Sequence, residues 1–185
     1  MDATSAIRTP PAPGAGSAAN PLVDSILDGS APRPMRVAAA RGALPLSRPD
    51  LFRLLVALSA DDDEEIRSLA GRTIEGWPRD EIQQLGSEPG TDGAILAFLL
   101  AWPGMDPSLL PGVLSNPSTP IEALRSAARA FPAERIDALL LNQTLLIQHP
   151  DLLEGIEANP NAAPLHRSRV DEIRRHFFAG APSAR

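Results

Sequence analysis

Residues 106–120 read DPSLLPGVLSNPSTP and residues 149–163 read HPDLLEGIEANPNAA. At an offset of 43 residues the two align without a gap. Pro107 falls on Pro150, Leu109-Leu110 on Leu152-Leu153, Gly112 on Gly155, Val113 on Ile156 and Asn116-Pro117 on Asn159-Pro160. A fainter copy of the opening is RPDLF at 48–52. The apolar spacing is helical, and the prolines that follow the asparagines forbid continuation, so each copy reads as a helix that ends in a tight turn. Self-similarity at this period predicts helical hairpins too small to bury their own apolar faces, which become stable by stacking on neighbours. In the unit at 106–130 the first helix offers Leu109, Leu110, Val113 and Leu114, and the second offers Ile121, Leu124, Ala128 and Phe131, stripes that can close on each other. Asn116 and Asn159 read as structural, because asparagine tolerates left-handed backbone at a helix end and bonds locally.

Working outward, an aromatic–proline pair recurs in Trp77-Pro78, Trp102-Pro103 and Phe131-Pro132, with GWPRDEI at 76–82 echoed by AFPAERI at 130–136. These rings read as core between repeats. Asn20-Pro21, Asp106-Pro107 and Thr119-Pro120 set a capping side chain before a proline at the first helical position, where its missing N–H costs nothing. Arg48-Pro49 and His149-Pro150 are weaker starts, and Asp61 to Asp63 cap a helix through Ile66, Leu69 and Ile74. About ten short helices and no strand are expected. The fold class is therefore all-α, a short stack of helical hairpins spanning 20–180. Residues 1–19, rich in Pro, Ala and Gly with only Ile7 as a large apolar group, read as a disordered tail, and 181–185 as a disordered C-terminus.

The phrase HPDLLEGIEANPNAAPLHR, with its relative SNPSTPIEALRSAAR, resembles the leucine-rich-repeat-variant motif of bacteria and, more broadly, the HEAT-type helical repeat. The likeness covers residues 106–178 and is weaker over 48–86. It implies a curved helical stack that binds other macromolecules. Some members of the variant group are associated with a cysteine-ligated iron–sulfur cluster, and this chain has no cysteine to hold one.

Composition narrows the function classes. The formal net charge is -6, the opposite of what phosphate neutralisation needs, which disfavours nucleic acid. The lack of cysteine removes disulfides, thiolate zinc sites and cysteine nucleophiles, so neither a metal nor another cofactor is expected. All 17 basic residues are arginine, which reads as codon bias of a GC-rich bacterial genome. The first twenty residues hold no signal-peptide core and no later run is long and apolar enough to span a membrane, so a cytoplasmic location without membrane insertion is expected.

Chemistry-bearing motifs are sparse. His149, His166 and His176 lack ligand spacing, and the run Asp61–Glu65 lacks the alternating oxygens and central glycine of a calcium loop, reading instead as a helix N-terminus. No phosphate loop or nucleophile elbow is present. One pattern points to binding: Arg67 and Arg72, Arg125 and Arg129, then Arg169 and Arg174 lie off the apolar stripes of the second helices. They would line a groove that docks an acidic segment of another protein. The expectation is a non-catalytic adaptor or scaffold. A small-molecule enzyme or enzyme-maturation factor and a nucleic-acid-binding helical repeat are the alternatives.

Overall fold

In the computed structural model, which describes residues 20–178, the chain is all-α. The reading of 1–19 and 181–185 as disordered falls outside the described residues. Twelve α-helices are seen among the described residues: α1 Pro21–Leu27, α2 Arg33–Ala40, α3 Arg48–Leu58, α4 Glu64–Glu75, α5 Arg79–Ser87, α6 Gly93–Ala101, α7 Leu110–Ser115, α8 Ile121–Ala130, α9 Ala133–Leu141, α10 Gln143–Gln148, α11 Asp151–Ala158 and α12 Pro164–Phe177. A 3-10 turn, Pro107–Leu109, leads into α7. None of these helices is long and apolar enough to cross a membrane.

The starts follow local chemistry. Asn20 accepts the Leu22 amide at 3.1 Å, Asp106 that of Ser108 at 2.9 Å, and Asp63 that of Glu65 at 3.0 Å. Each satisfies an N–H that has no partner inside its own helix. Helix α3 is capped by Ser47, whose hydroxyl accepts the Asp50 amide at 3.2 Å. Thr119 departs from the expected pattern. The helix after it begins at Ile121 without a side-chain cap, and the Thr119 hydroxyl instead donates to the Val113 carbonyl at 2.6 Å, closing the end of α7.

Most of the apolar residues expected to be core are core, while Leu69, Trp102 and Ile121 are only partly buried against it. Leu109, Leu110, Val113, Leu114, Leu124, Ala128 and Phe131 are buried, as are Leu152, Leu153 and Ile156. Their partners differ from a self-closing hairpin. Helix α7 packs on α5, α6 and α9, while α8 packs on α6 and α11, so the two helices around the Asn116 turn find their main neighbours elsewhere. Two lines of contact result, one through α3, α6, α8 and α11, the other through α5, α7, α9 and α12. An aromatic cluster ties the first line together. Phe52 meets Trp77 edge-on at 5.2 Å and Phe98 at 6.4 Å, and Phe98 stacks on Trp102 at 6.0 Å. Arg48 lies 3.8 Å over the Trp77 ring.

The repeated Gly and Asn of the two copies perform one task at both sites. A Cβ on Gly155 would come within 3.0 Å of the Ala128 Cβ, and one on Gly112 within 2.7 Å of the Ser87 Oγ, so glycine lets α11 approach α8 and α7 approach α5. Asn159 is fully buried. Its amide nitrogen donates to the carbonyls of Ala128 and Phe131, both at 3.0 Å, while its oxygen accepts the Asn161 amide at 2.8 Å. Asn116 repeats this, donating to Gly86 at 2.9 Å and Glu88 at 3.0 Å and accepting from Ser118 at 2.9 Å. The asparagines are structural and bond locally, but not through left-handed backbone. Their φ angles are -71° and -73°, and no described residue other than glycine has positive φ. What selects asparagine is an amide that donates and accepts at once.

Asn159→Ala leaves the buried Ala128 carbonyl without its donor and takes one of two donors from that of Phe131, and is expected to cost about 2 kcal/mol. Asn161→Ala, whose side chain also reaches the Phe131 carbonyl but is exposed, is expected to cost less than about 1 kcal/mol. Urea unfolding of the two variants checks the difference.

Candidate functional site

The last carbonyls of a helix have no partner within it. The end of α6 meets this with a charged side chain. Arg135, on the first turn of α9, sends Nη1 to the Leu100 carbonyl at 3.3 Å and Nη2 to those of Trp102, Pro103 and Met105 at 2.8, 3.1 and 3.2 Å. Only 7% of Arg135 is exposed. No carboxylate forms an ion pair with it among the described residues, and burial pushes its pKa below the usual arginine value, opposed in part by the charge of neighbouring Glu134. The negative end of the α6 dipole supplies part of the missing countercharge.

Beside Arg135 runs a groove of about 420 Å3 between α6 and α8. Five alanines line it, Ala97 and Ala101 on α6 and Ala123, Ala127 and Ala130 on α8, together with Leu100, Ser126, Phe131, Pro103 and Pro132. Sequence reading missed Arg135 as a site residue. The signal was there, because Arg135 lies on the same helical stripe as Ile136, Leu139 and Leu140, all buried.

The six arginines read from sequence are placed on three helices, and the structure brings three of them to α11. Arg125 on α8 holds Asp151 at 2.5 Å and also Glu122, and Arg174 on α12 holds Glu157 at 2.5 Å. The Cγ of Arg129 lies 3.5 Å from where a Gly155 Cβ would stand. Arg169 pairs within its own helix with Glu172 at 2.6 Å. On α4, Arg67 donates to the backbone carbonyls of Asp61 and Asp62, the latter at 2.8 Å. Arg72 and Arg129 are exposed and have no polar partner among the described residues.

The acidic run does cap α4, and it also receives arginines from α2. Arg33 reaches Asp63 at 2.7 Å and Glu65, and Arg36 reaches Asp61 at 2.5 Å. Of the histidines, His166 is buried. Its Nδ1 accepts the Ala163 amide at 3.0 Å, and its Nε2 lies 3.1 Å from an Asp137 oxygen, which ties α12 to α9. His176 is exposed beside Phe177. Among the described residues no three His, Asp or Glu side chains gather as a metal site.

Ion pairing leaves a mark on titration. Hydrogen bonding from Arg125 holds the Asp151 carboxyl below its usual value, and Arg33 does the same to Asp63. The Ser108 amide and hydroxyl lower Asp106. A carboxyl depressed in the folded state adds stability above its unfolded pKa, about 3.9, and loses it as pH falls through the folded value. The urea midpoint is therefore expected to be flat near neutrality and to fall below about pH 4. Asp151→Asn is expected to flatten that acid limb and, since the pair is partly exposed, to cost under about 1 kcal/mol at pH 7. An unchanged limb would mean that the Arg125–Asp151 pair contributes nothing.

No family model, no curated protein and no solved structure matches this chain.

Proposed function

We propose that the chain is a short helical-repeat stack, related to the leucine-rich-repeat-variant and HEAT-type repeats, that serves as a non-catalytic adaptor or scaffold subunit in a bacterial cytoplasmic assembly. The observation that carries this reading is the twice-used docking device. The same Gly and Asn seat α7 on α5 and α11 on α8, 43 residues apart in sequence. A chain that adds helices by repeating one contact builds surface in proportion to length, and such surfaces characteristically bind macromolecules. The two lines of helix contact support the same view.

The arginine row enters this proposal in altered form. Arg125, Arg169 and Arg174 already have carboxylate partners, and Arg67 is held by backbone carbonyls, so an acidic partner segment gains least from them. Arg72 and Arg129 are the members with charge to offer. Docking there would be rim-like, steered by charge and sensitive to salt.

Affinity capture of the tagged full chain from its source cells, at near-physiological salt, tests the proposal. One protein recovered in stoichiometric amount is expected. An Arg72→Glu, Arg129→Glu variant is expected to hold that protein about tenfold less tightly, a loss of ~1.4 kcal/mol. Recovery of the chain alone would count against the adaptor reading, and undiminished binding by the variant would remove the two arginines from it.

A further inference from the structure

The groove between α6 and α8 has two properties that a gap in packing does not explain. Small side chains, Ala97 and Ala101 on α6 and Ala123, Ser126, Ala127 and Ala130 on α8, leave the space open, and Leu100 and Phe131 add larger apolar surface to it. Its volume of about 420 Å3 lies within the range of small-molecule pockets. Arg135, which borders it, brings a buried positive charge without a carboxylate partner among the described residues. Of its nitrogens, Nη1 donates to one carbonyl and Nη2 to three at the end of α6, and Nε donates to no protein atom among the described residues.

We propose that this groove binds a small apolar carboxylic acid, with its hydrocarbon body between the alanine walls and its carboxylate accepting from Arg135 Nε. The chemistry of the site selects that class. Alanine and Phe131 surfaces reward an apolar body. A single guanidinium with one unused edge suits a monoanionic carboxylate, whereas a phosphate group needs several converging donors. An anion here meets a cation already stripped of most of its water, so the charge-assisted bond is stronger than at the surface. An uncharged hydroxyl accepts from Nε–H only through a weaker, neutral bond, and a cation would be repelled. The inference does not depend on partner binding and stands or falls separately from it.

Calorimetric titration of the full chain with octanoate, octanol and octyltrimethylammonium tests it. Saturable one-to-one binding of octanoate is expected, about tenfold or more tighter than octanol, with no binding of the cation. Ala101→Phe, at an exposed position on the groove wall, is expected to abolish octanoate binding without loss of helix content by circular dichroism. Arg135→Gln is expected to bring octanoate down to the level of octanol. If that variant does not fold, the octanoate–octanol comparison on the unaltered chain still decides the role of charge. No saturable octanoate binding at millimolar concentration, equal affinity for octanol, or binding that survives Ala101→Phe would each overturn the proposal.

Discussion

Short helices leave a large share of their backbone carbonyls unpaired, and in this chain helices of 6 to 14 residues are packed so that many of those ends are buried. The recurrent answer is a side-chain donor supplied from about 30 residues further along the chain. Thr73 donates to the Ala40 carbonyl at the end of α2, Asn116 closes α5, Arg135 closes α6 and Asn159 closes α8. Each bond does two things. It satisfies groups whose orphaning would cost about 1–3 kcal/mol apiece, and it fixes how one helix sits against an earlier one. Apolar packing alone would tolerate sliding between neighbouring stripes of leucine. A buried amide with two acceptors and one donor in fixed directions tolerates far less.

The ion pairs repeat this spacing at the surface. Arg33 with Asp63, Arg48 with Glu81 and Arg125 with Asp151 join residues 26 to 33 positions apart. Exposed as they are, they add little stability. In these three the arginine lies on the earlier helix and the carboxylate on the later element, and Arg174 with Glu157 runs the other way. About half of the described arginines are engaged in such pairs, while Arg41, Arg72, Arg129 and Arg167 are exposed with no carboxylate partner among the described residues.

The all-α class and most of the core were legible because helical periodicity and a gapless self-alignment are properties of neighbouring residues. Leu109, Leu110, Gly112 and Asn116 announce themselves by recurring at 152, 153, 155 and 159. The reason for the asparagine was not legible, since its acceptors lie 28 to 31 residues upstream and nothing in the turn itself points to them. Thr119 shows the same limit on a shorter scale: a threonine before a proline reads as the start of the next helix, yet its hydroxyl closes the previous one. For the six arginines, sequence located the solvent face but not the carboxylates on facing helices. Arg135 escaped for a further reason. In the echo between GWPRDEI and AFPAERI it occupies the place of Glu81, which is ion-paired with Arg48. One position in the repeat therefore holds opposite charges, and only the surrounding carbonyls decide which.

Arg135 also joins architecture to binding. The guanidinium that would meet a carboxylate in the groove is the same one that holds α9 to the end of α6. A ligand on Nε would withdraw no bond from the carbonyls, because they use the terminal nitrogens. It would add to the countercharge that the helix dipole and Glu134 provide in part, so occupancy would favour the arrangement in which α9 is docked. By linkage, any such ligand stabilises the fold in proportion to the logarithm of its concentration above its Kd. A cap that tolerates burial of a full charge is costlier than the neutral asparagines doing the same work at α5 and α8. The presence of that charge at a helix end that opens onto an alanine-rich groove is what makes a purely structural role an incomplete account of it.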